Sequence, residues 1–251
     1  MTTLTELFHK GLSNPNQILP YLKQKSGIQP WGWRGPAIKM AELKYRTTNY
    51  QYQTTSIWDK DWDLLVILDA CRPEWVKTVE DDYEYIDNVD TIHSVGSHSK
   101  EWILNTFDDR YSSEMKETIY ITGNHYGDLI NESKLAAFES AQDYGEWAYD
   151  SASPPANVVT DLAVNASRNS DWERCIVHYM QPHKPFISKT SSRDDISVQD
   201  WSIAYKPYRM VFDGRISKDE LIEGFISNLQ YVLDEVTILL ENIEAPTAIL
   251  T

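Results

Sequence analysis

The chain has 251 residues, of which 41% are hydrophobic and 24% charged, a balance that supports one sizeable core and excludes a disordered, collagen-like or coiled-coil chain. Lys and Arg number 23 against 38 Asp and Glu, a net charge of −15, so the surface repels polyanions and nucleic acid is excluded as a natural partner. No apolar run approaches the roughly 20 residues of a membrane span, and Met1 to Asn14 lack the continuous apolar centre of a secretory signal. These features give the expectation of a cytoplasmic protein. With only Cys71 and Cys175, no disulfide framework is required.

In chain order, residues 1–60 read as a lead-in of short amphipathic pieces and turns, interrupted by Pro30, Gly32, Gly35 and Pro36. The domain proper is expected over 61–251. It begins with the run Asp63-Leu-Leu-Val-Ile-Leu68, the pattern of a strand buried on both faces, which belongs to a parallel sheet. Ser99 to Phe107 has helical spacing. Thr118 to Thr122 and Cys175 to Met180 read as further strands, with a helix over Val158 to Ser167 between them. Ser188 to Asp213 lacks periodicity and is expected as a long loop or cap. The strongest helix starts at Ser217, where Glu220 three residues on completes a capping box. Its apolar stripe runs through Ile222, Phe225, Ile226, Leu229, Val232, Leu233, Val236 and Leu240. Thr247 to Thr251 is a last strand. Strands alternating with helices predict an α/β fold, a three-layer α/β/α sandwich on a mostly parallel central sheet.

Ligands of such sheets bind beyond the carboxyl ends of the strands, which singles out Asp69 with Cys71 and Arg72, then Gly123-Asn124-His125, then Gln181-Pro182-His183. A strand-end carboxylate followed by Arg three residues later can hold a divalent cation while the guanidinium meets an anion. The competing reading is that Asp69 caps the next helix, with Pro73 near its first position. Ser94-Val-Gly-Ser97-His-Ser99 places hydroxyls around a glycine just before a helix, where an anion is favoured and a hydroxyl could attack phosphorus or sulfur. Ordinary capping by Ser97 or Ser99 is the alternative there. His183 lies between Pro182 and Pro185 at the sheet's carboxyl edge, suited to a substrate or metal contact or to a structural role. His178, inside a strand, reads as a satisfied core residue.

Taken in order, Leu64-Leu-Val-Ile-Leu-Asp69-Ala-Cys-Arg72, the Ser97 to Ser99 segment, Tyr179-Met-Gln-Pro-His183-Lys-Pro-Phe186, the long helix with Tyr231 and Asp234, and Ala245 to Thr251 resemble the alkaline phosphatase and sulfatase superfamily over roughly residues 60–251. The resemblance implies Asp69 as a metal ligand and Ser99 as nucleophile and metal-contacting hydroxyl, with Ser97 its rival. It also implies His183 as a substrate-contacting imidazole and Asn124 as part of the pocket, beside Arg72. The implied cofactor is a divalent ion, whether zinc, manganese, magnesium or calcium. The implied substrate is an anionic phosphate or sulfate ester. The Cys-x-Pro-x-Arg signature of formylglycine sulfatases is absent, which disfavours that chemistry. The family's Asp-His-Gly after the last strand is also absent, so the expectation is a fragment with an incomplete metal site. The alternative expectation is a catalytically inactive fold that binds a ligand or partner. A carboxylate-pair glycosidase using residues such as Glu146 and Asp150 is a weaker reading, because no spacing singles out a pair.

Overall fold

The computed structural model describes residues 54–145, 153–186, 206–245 and 248–250, all within one compact unit, Thr54–Thr251. The five strands are β1 (Leu64–Leu68), β2 (Thr118–Thr122), β3 (Ala137–Ser140), β4 (Arg174–Tyr179) and β5 (Ala248–Leu250). They form one sheet in the order β3-β2-β4-β1-β5, and every neighbouring pair is parallel. The fold is α/β, as the sequence predicts. β1 and β2 are buried at all five positions, which explains why they read as unbroken apolar or β-branched runs rather than alternating ones.

The helices are α1 (Pro73–Val76), α2 (Ser99–Thr106), α3 (Ser112–Lys116), α4 (Ala156–Asn169), α5 (Lys206–Phe212) and α6 (Lys218–Asn242). Side chains alternate across a strand, so each strand feeds two cores. One face carries Leu64, Val66, Leu68, Ile119, Val177 and Tyr179, which pack against Val159 and Ala163 of α4 and Leu229, Val232 and Val236 of α6. The other carries Leu65, Ile67, Tyr120 and Ile176, covered by Ile103 of α2, Met115 of α3 and the aromatic rings of Trp62 and Phe107. A smaller cluster of Phe186, Met210, Ile216 and Phe225 fastens α5 to the start of α6. Among the described residues no helix is long and apolar enough to cross a membrane.

The capping box at Ser217 and Glu220 forms as the sequence indicates. Within the predicted stripe of α6, Ile222 is exposed, and Leu239 rather than Leu240 is the fully buried residue near the end. Two elements escape the sequence pattern. β3 lies at the sheet edge and is only half-buried over three of its four residues, and α5 falls inside the stretch read as a loop or cap, whose residues 188–205 lie outside the described residues. The lead-in up to residue 53 and the acidic positions Glu146 and Asp150 lie outside them as well.

Candidate functional site

The site grows from the carboxyl end of β1. Asp69 follows the last residue of the strand, its backbone N–H donating to the Tyr179 carbonyl at 3.1 Å and its own carbonyl accepting from His183 N–H at 3.0 Å. The chain then turns sharply. Cys71 N–H returns to the Leu68 carbonyl at 3.1 Å, and Ala70 takes a φ of +63°, a left-handed conformation that costs a non-glycine residue about 1–2 kcal/mol. Strain of this kind concentrates where a side chain must be aimed. The turn leaves the Asp69 side chain on the face of the sheet occupied by Leu65 and Ile67, the face that α2 covers.

Three elements converge on one oxygen of that carboxylate. Ser99 Oγ, at the first position of α2, donates to Asp69 Oδ2 at 2.8 Å. Asn124 Nδ2, just past β2, donates to the same Oδ2 at 2.8 Å. His178 Nε2, in β4, stands 3.8 Å from it. The described residues offer Oδ1 no hydrogen bond. Burial works against the Asp69 charge, but His178, His183 and the Ser99 hydroxyl outweigh it and hold the carboxyl below the usual carboxylate range. Asp69 is therefore an anion at neutral pH.

Asp69 does not cap the next helix. Arg72 occupies that position without a side-chain bond, and Pro73 stands at the first helical position, so the carboxylate is released for the site. Neither Ser97 nor Ser99 caps α2. His98 does, with Nδ1 accepting from Glu101 N–H at 3.3 Å. Ser97 is engaged elsewhere, since its N–H and hydroxyl both donate to Glu101 Oε2, at 2.8 and 2.7 Å. Of the two candidate nucleophiles, Ser99 is the one brought to Asp69. Gly96 lets the chain pass close to α2, because a Cβ there would fall 2.3 Å from Trp102 N, a backbone atom that cannot move aside.

The loop after β4 supplies basic groups. His183 Nδ1 lies 2.6 Å from the Lys184 carbonyl, and Lys184 Nζ lies 3.3 Å from His183 Nε2. Burial depresses the His183 imidazole below its ordinary value, although Asp69 partly opposes the shift. Burial likewise lowers Lys184, again opposed by Asp69. The loop is clamped from α6 by Asn228, whose Nδ2 donates to the carbonyls of Pro182, His183 and Pro185 at 3.3, 3.1 and 3.2 Å. Arg72 is placed differently. Its exposed guanidinium pairs with Glu74 and lies over the Trp75 ring, 5.8 Å from the centroid, and no described contact joins it to Asp69. Cys71 is not poised for nucleophilic work, since burial pushes its thiol up to about 12.

His178 is the residue whose importance the sequence hides. It is buried and bonded as a core histidine should be, with Nδ1 2.9 Å from the Tyr120 hydroxyl. Its other nitrogen, however, faces the site. As for a metal, Asp69 and Ser99 are two hard oxygen donors of the kind magnesium, calcium or manganese take. Among the described residues no group of three or more acidic, imidazole or thiol side chains is placed to hold an ion, so the described residues alone do not complete a metal site. No family model, curated protein or solved structure matches the chain.

Proposed function

We propose that the Asp69 cluster is the active site of a hydrolase or transferase acting on phosphate or sulfate esters, with Ser99 as nucleophile. The observation that supports this reading is the 2.8 Å hydrogen bond from Ser99 Oγ to Asp69 Oδ2, made between a helix start and a strand end 30 residues apart. It places a hydroxyl and a buried, ionised base in contact at the carboxyl edge of a parallel sheet. In the proposed reaction the Ser99 proton passes to Asp69 as Oγ bonds to phosphorus or sulfur. The bond to the leaving oxygen breaks, and its electron pair departs with that oxygen. Asn124 keeps Asp69 Oδ2 turned toward Ser99, and Lys184 brings positive charge toward an anionic ester in a protein that is otherwise strongly acidic.

The reading includes a divalent metal, held in part by Asp69 and Ser99. A bound cation would supply a lowered hydroxyl pKa and neutralise the oxygens of the transferred group. Its remaining donors would come from outside the described residues. The test is hydrolysis of chromogenic phosphate and sulfate esters with magnesium, calcium, manganese or zinc added in turn. Ser99→Ala is expected to lower kcat by at least ~10³-fold, with Ser97→Ala close to the parent. Equal activity of Ser99→Ala and the parent would overturn the assignment of the nucleophile. Absence of turnover on every ester, with a titratable anion-binding signal that survives in Ser99→Ala, would favour the alternative of a binding protein.

A further inference from the structure

We infer that His178, held by Tyr120 and Trp102, is a positioning residue that sets the Asp69 carboxylate and, through it, Ser99; the inference rests on the active-site reading above for its kinetic consequence but not for its structural one. The sheet register places Thr122 directly beside His178, and His178 beside Ile67. Tyr120, Thr122, His178 and Asp69 therefore all project from the same face of three neighbouring strands. On that face a closed circuit runs through five side chains. Asn124 N–H donates to Thr122 Oγ1 at 2.9 Å. The Thr122 and Tyr120 hydroxyls are 3.1 Å apart, Tyr120 Oη is 2.9 Å from His178 Nδ1, and His178 Nε2 is 3.8 Å from Asp69 Oδ2. Asn124 Nδ2 closes the ring on that same Oδ2 at 2.8 Å.

The circuit fixes where the imidazole carries its hydrogen. Nε2 faces an ionised carboxylate inside a buried region, where a bare nitrogen lone pair would be repelled and an N–H attracted. A neutral ring meets that demand with hydrogen on Nε2 and Nδ1 accepting from Tyr120. A charged ring meets it with Nδ1 donating to Tyr120 and the Tyr120 proton turned to Thr122. In both states Nε2 is protonated, so the arrangement does not depend on titration.

α2 then ties the circuit to the nucleophile. Ser99 and Trp102 are three residues apart and share one face of the helix. Trp102 packs edge-on against the His178 ring at 5.7 Å between centroids, while Ser99 bonds to Asp69. The helix thus docks on the imidazole and the carboxylate together. Loss of the imidazole's nitrogen removes a neighbour of Oδ2 and frees the carboxylate to rotate away from Ser99.

The test combines nitrogen-15 NMR of the full chain with kinetics. The parent is expected to show hydrogen on Nε2 of His178, with a resonance that shifts in Asp69→Asn; Nε2 without hydrogen would overturn the inference whether or not any ester is turned over. For kinetics, His178→Phe keeps a ring against Trp102 and removes both nitrogens, and His178→Gln restores an N–H near the Nε2 position. The expected result is a fall in kcat of about 10²-fold in His178→Phe, as for a catalytic group misplaced by about 1 Å, with KM within threefold of the parent and partial recovery in His178→Gln. A kcat for folded His178→Phe within threefold of the parent would refute the role. If His178→Phe does not fold, Tyr120→Phe, which deletes a single hydroxyl, carries the same expectation at reduced size. A parent inactive on all esters but protonated at Nε2 would overturn the function and leave the positioning circuit standing.

Discussion

Asn228 is the pin on which the His183 loop hangs, and its removal should be costly. The residue is fully buried on α6, and its amide nitrogen reaches three carbonyls of one loop at 3.1–3.3 Å. An amide has two hydrogens, so at most two of these contacts are full hydrogen bonds at any moment, and their lengths lie at the long end of the normal range. Two net hydrogen bonds at about 1 kcal/mol each give about 2 kcal/mol. Carbonyls left buried without a donor add about 1–3 kcal/mol. Asn228→Ala should therefore lose about 3 kcal/mol, which for a domain of this size lowers Tm by about 6–12 °C. One turn earlier, Gly224 admits the Phe186 ring, whose Cδ2 would lie 2.7 Å from a Cβ at that position. Gly224 and Asn228 thus form one receiving surface for the loop, and Asn228→Ala damages half of it. Urea denaturation followed by tryptophan fluorescence measures the effect directly. A stability loss below about 0.5 kcal/mol, the size of an ordinary surface substitution, would show that the loop is held by something other than this amide.

Two further outcomes follow from the same region. Burial lowers the His183 pKa in the folded state, so the folded chain binds fewer protons than the unfolded one between that value and the ordinary imidazole value of about 6.5. The stabilisation is fully present above that ordinary value and is lost as pH falls through the folded one. His183→Asn should flatten the dependence of unfolding free energy on pH between about 5 and 7.5, and an unchanged slope would refute the burial argument. Ala70 is exposed and left-handed, so Ala70→Gly removes strain without removing packing and should stabilise by about 0.5 kcal/mol after glycine's greater freedom in the unfolded chain is counted. Ala70→Val should destabilise, because a β-branched residue tolerates positive φ less well; a melting series with the opposite order would rule out a left-handed turn after Asp69.

The parts of the molecule legible in the sequence are those whose signal is local. β1 is announced by five consecutive apolar residues buried on both faces, and α6 by a capping box and an amphipathic stripe. The candidate positions Asp69, Asn124 and His183 follow from the rule that parallel sheets expose their function at strand ends, and two of them, Asp69 and Asn124, are joined by a direct hydrogen bond. β3 is not legible because Ala-Phe-Glu-Ser carries neither alternation nor a continuous apolar run, and its place at the edge asks for neither. The cap of α2 is misread because two serines advertise themselves, whereas the side chain of Glu101 occupies Ser97 and leaves the task to His98. His178 is hidden for a different reason. Its meaning depends on Asp69, 109 residues earlier, which only the pairing of β1 with β4 brings beside it. A sequence signal did exist: Tyr120, Thr122 and His178 are polar groups spaced by two within otherwise apolar strands, and in the register found they align with the side of β1 that leads through Leu65 and Ile67 to Asp69.

The strand order has a consequence for how the chain is assembled. β4 is made after β1, β2 and β3, yet it sits between β1 and β2. Until residues 174–179 emerge, β1 and β2 have no common neighbour, and each offers an unpaired apolar edge of the kind that recruits foreign strands. The sheet cannot grow outward from an early hairpin; it closes when a late segment enters its middle, a long-range event of the slow kind. The same insertion brings His178 and the His183 loop alongside Asp69, so that during synthesis the carboxylate acquires its imidazole neighbours only when the sheet itself becomes continuous.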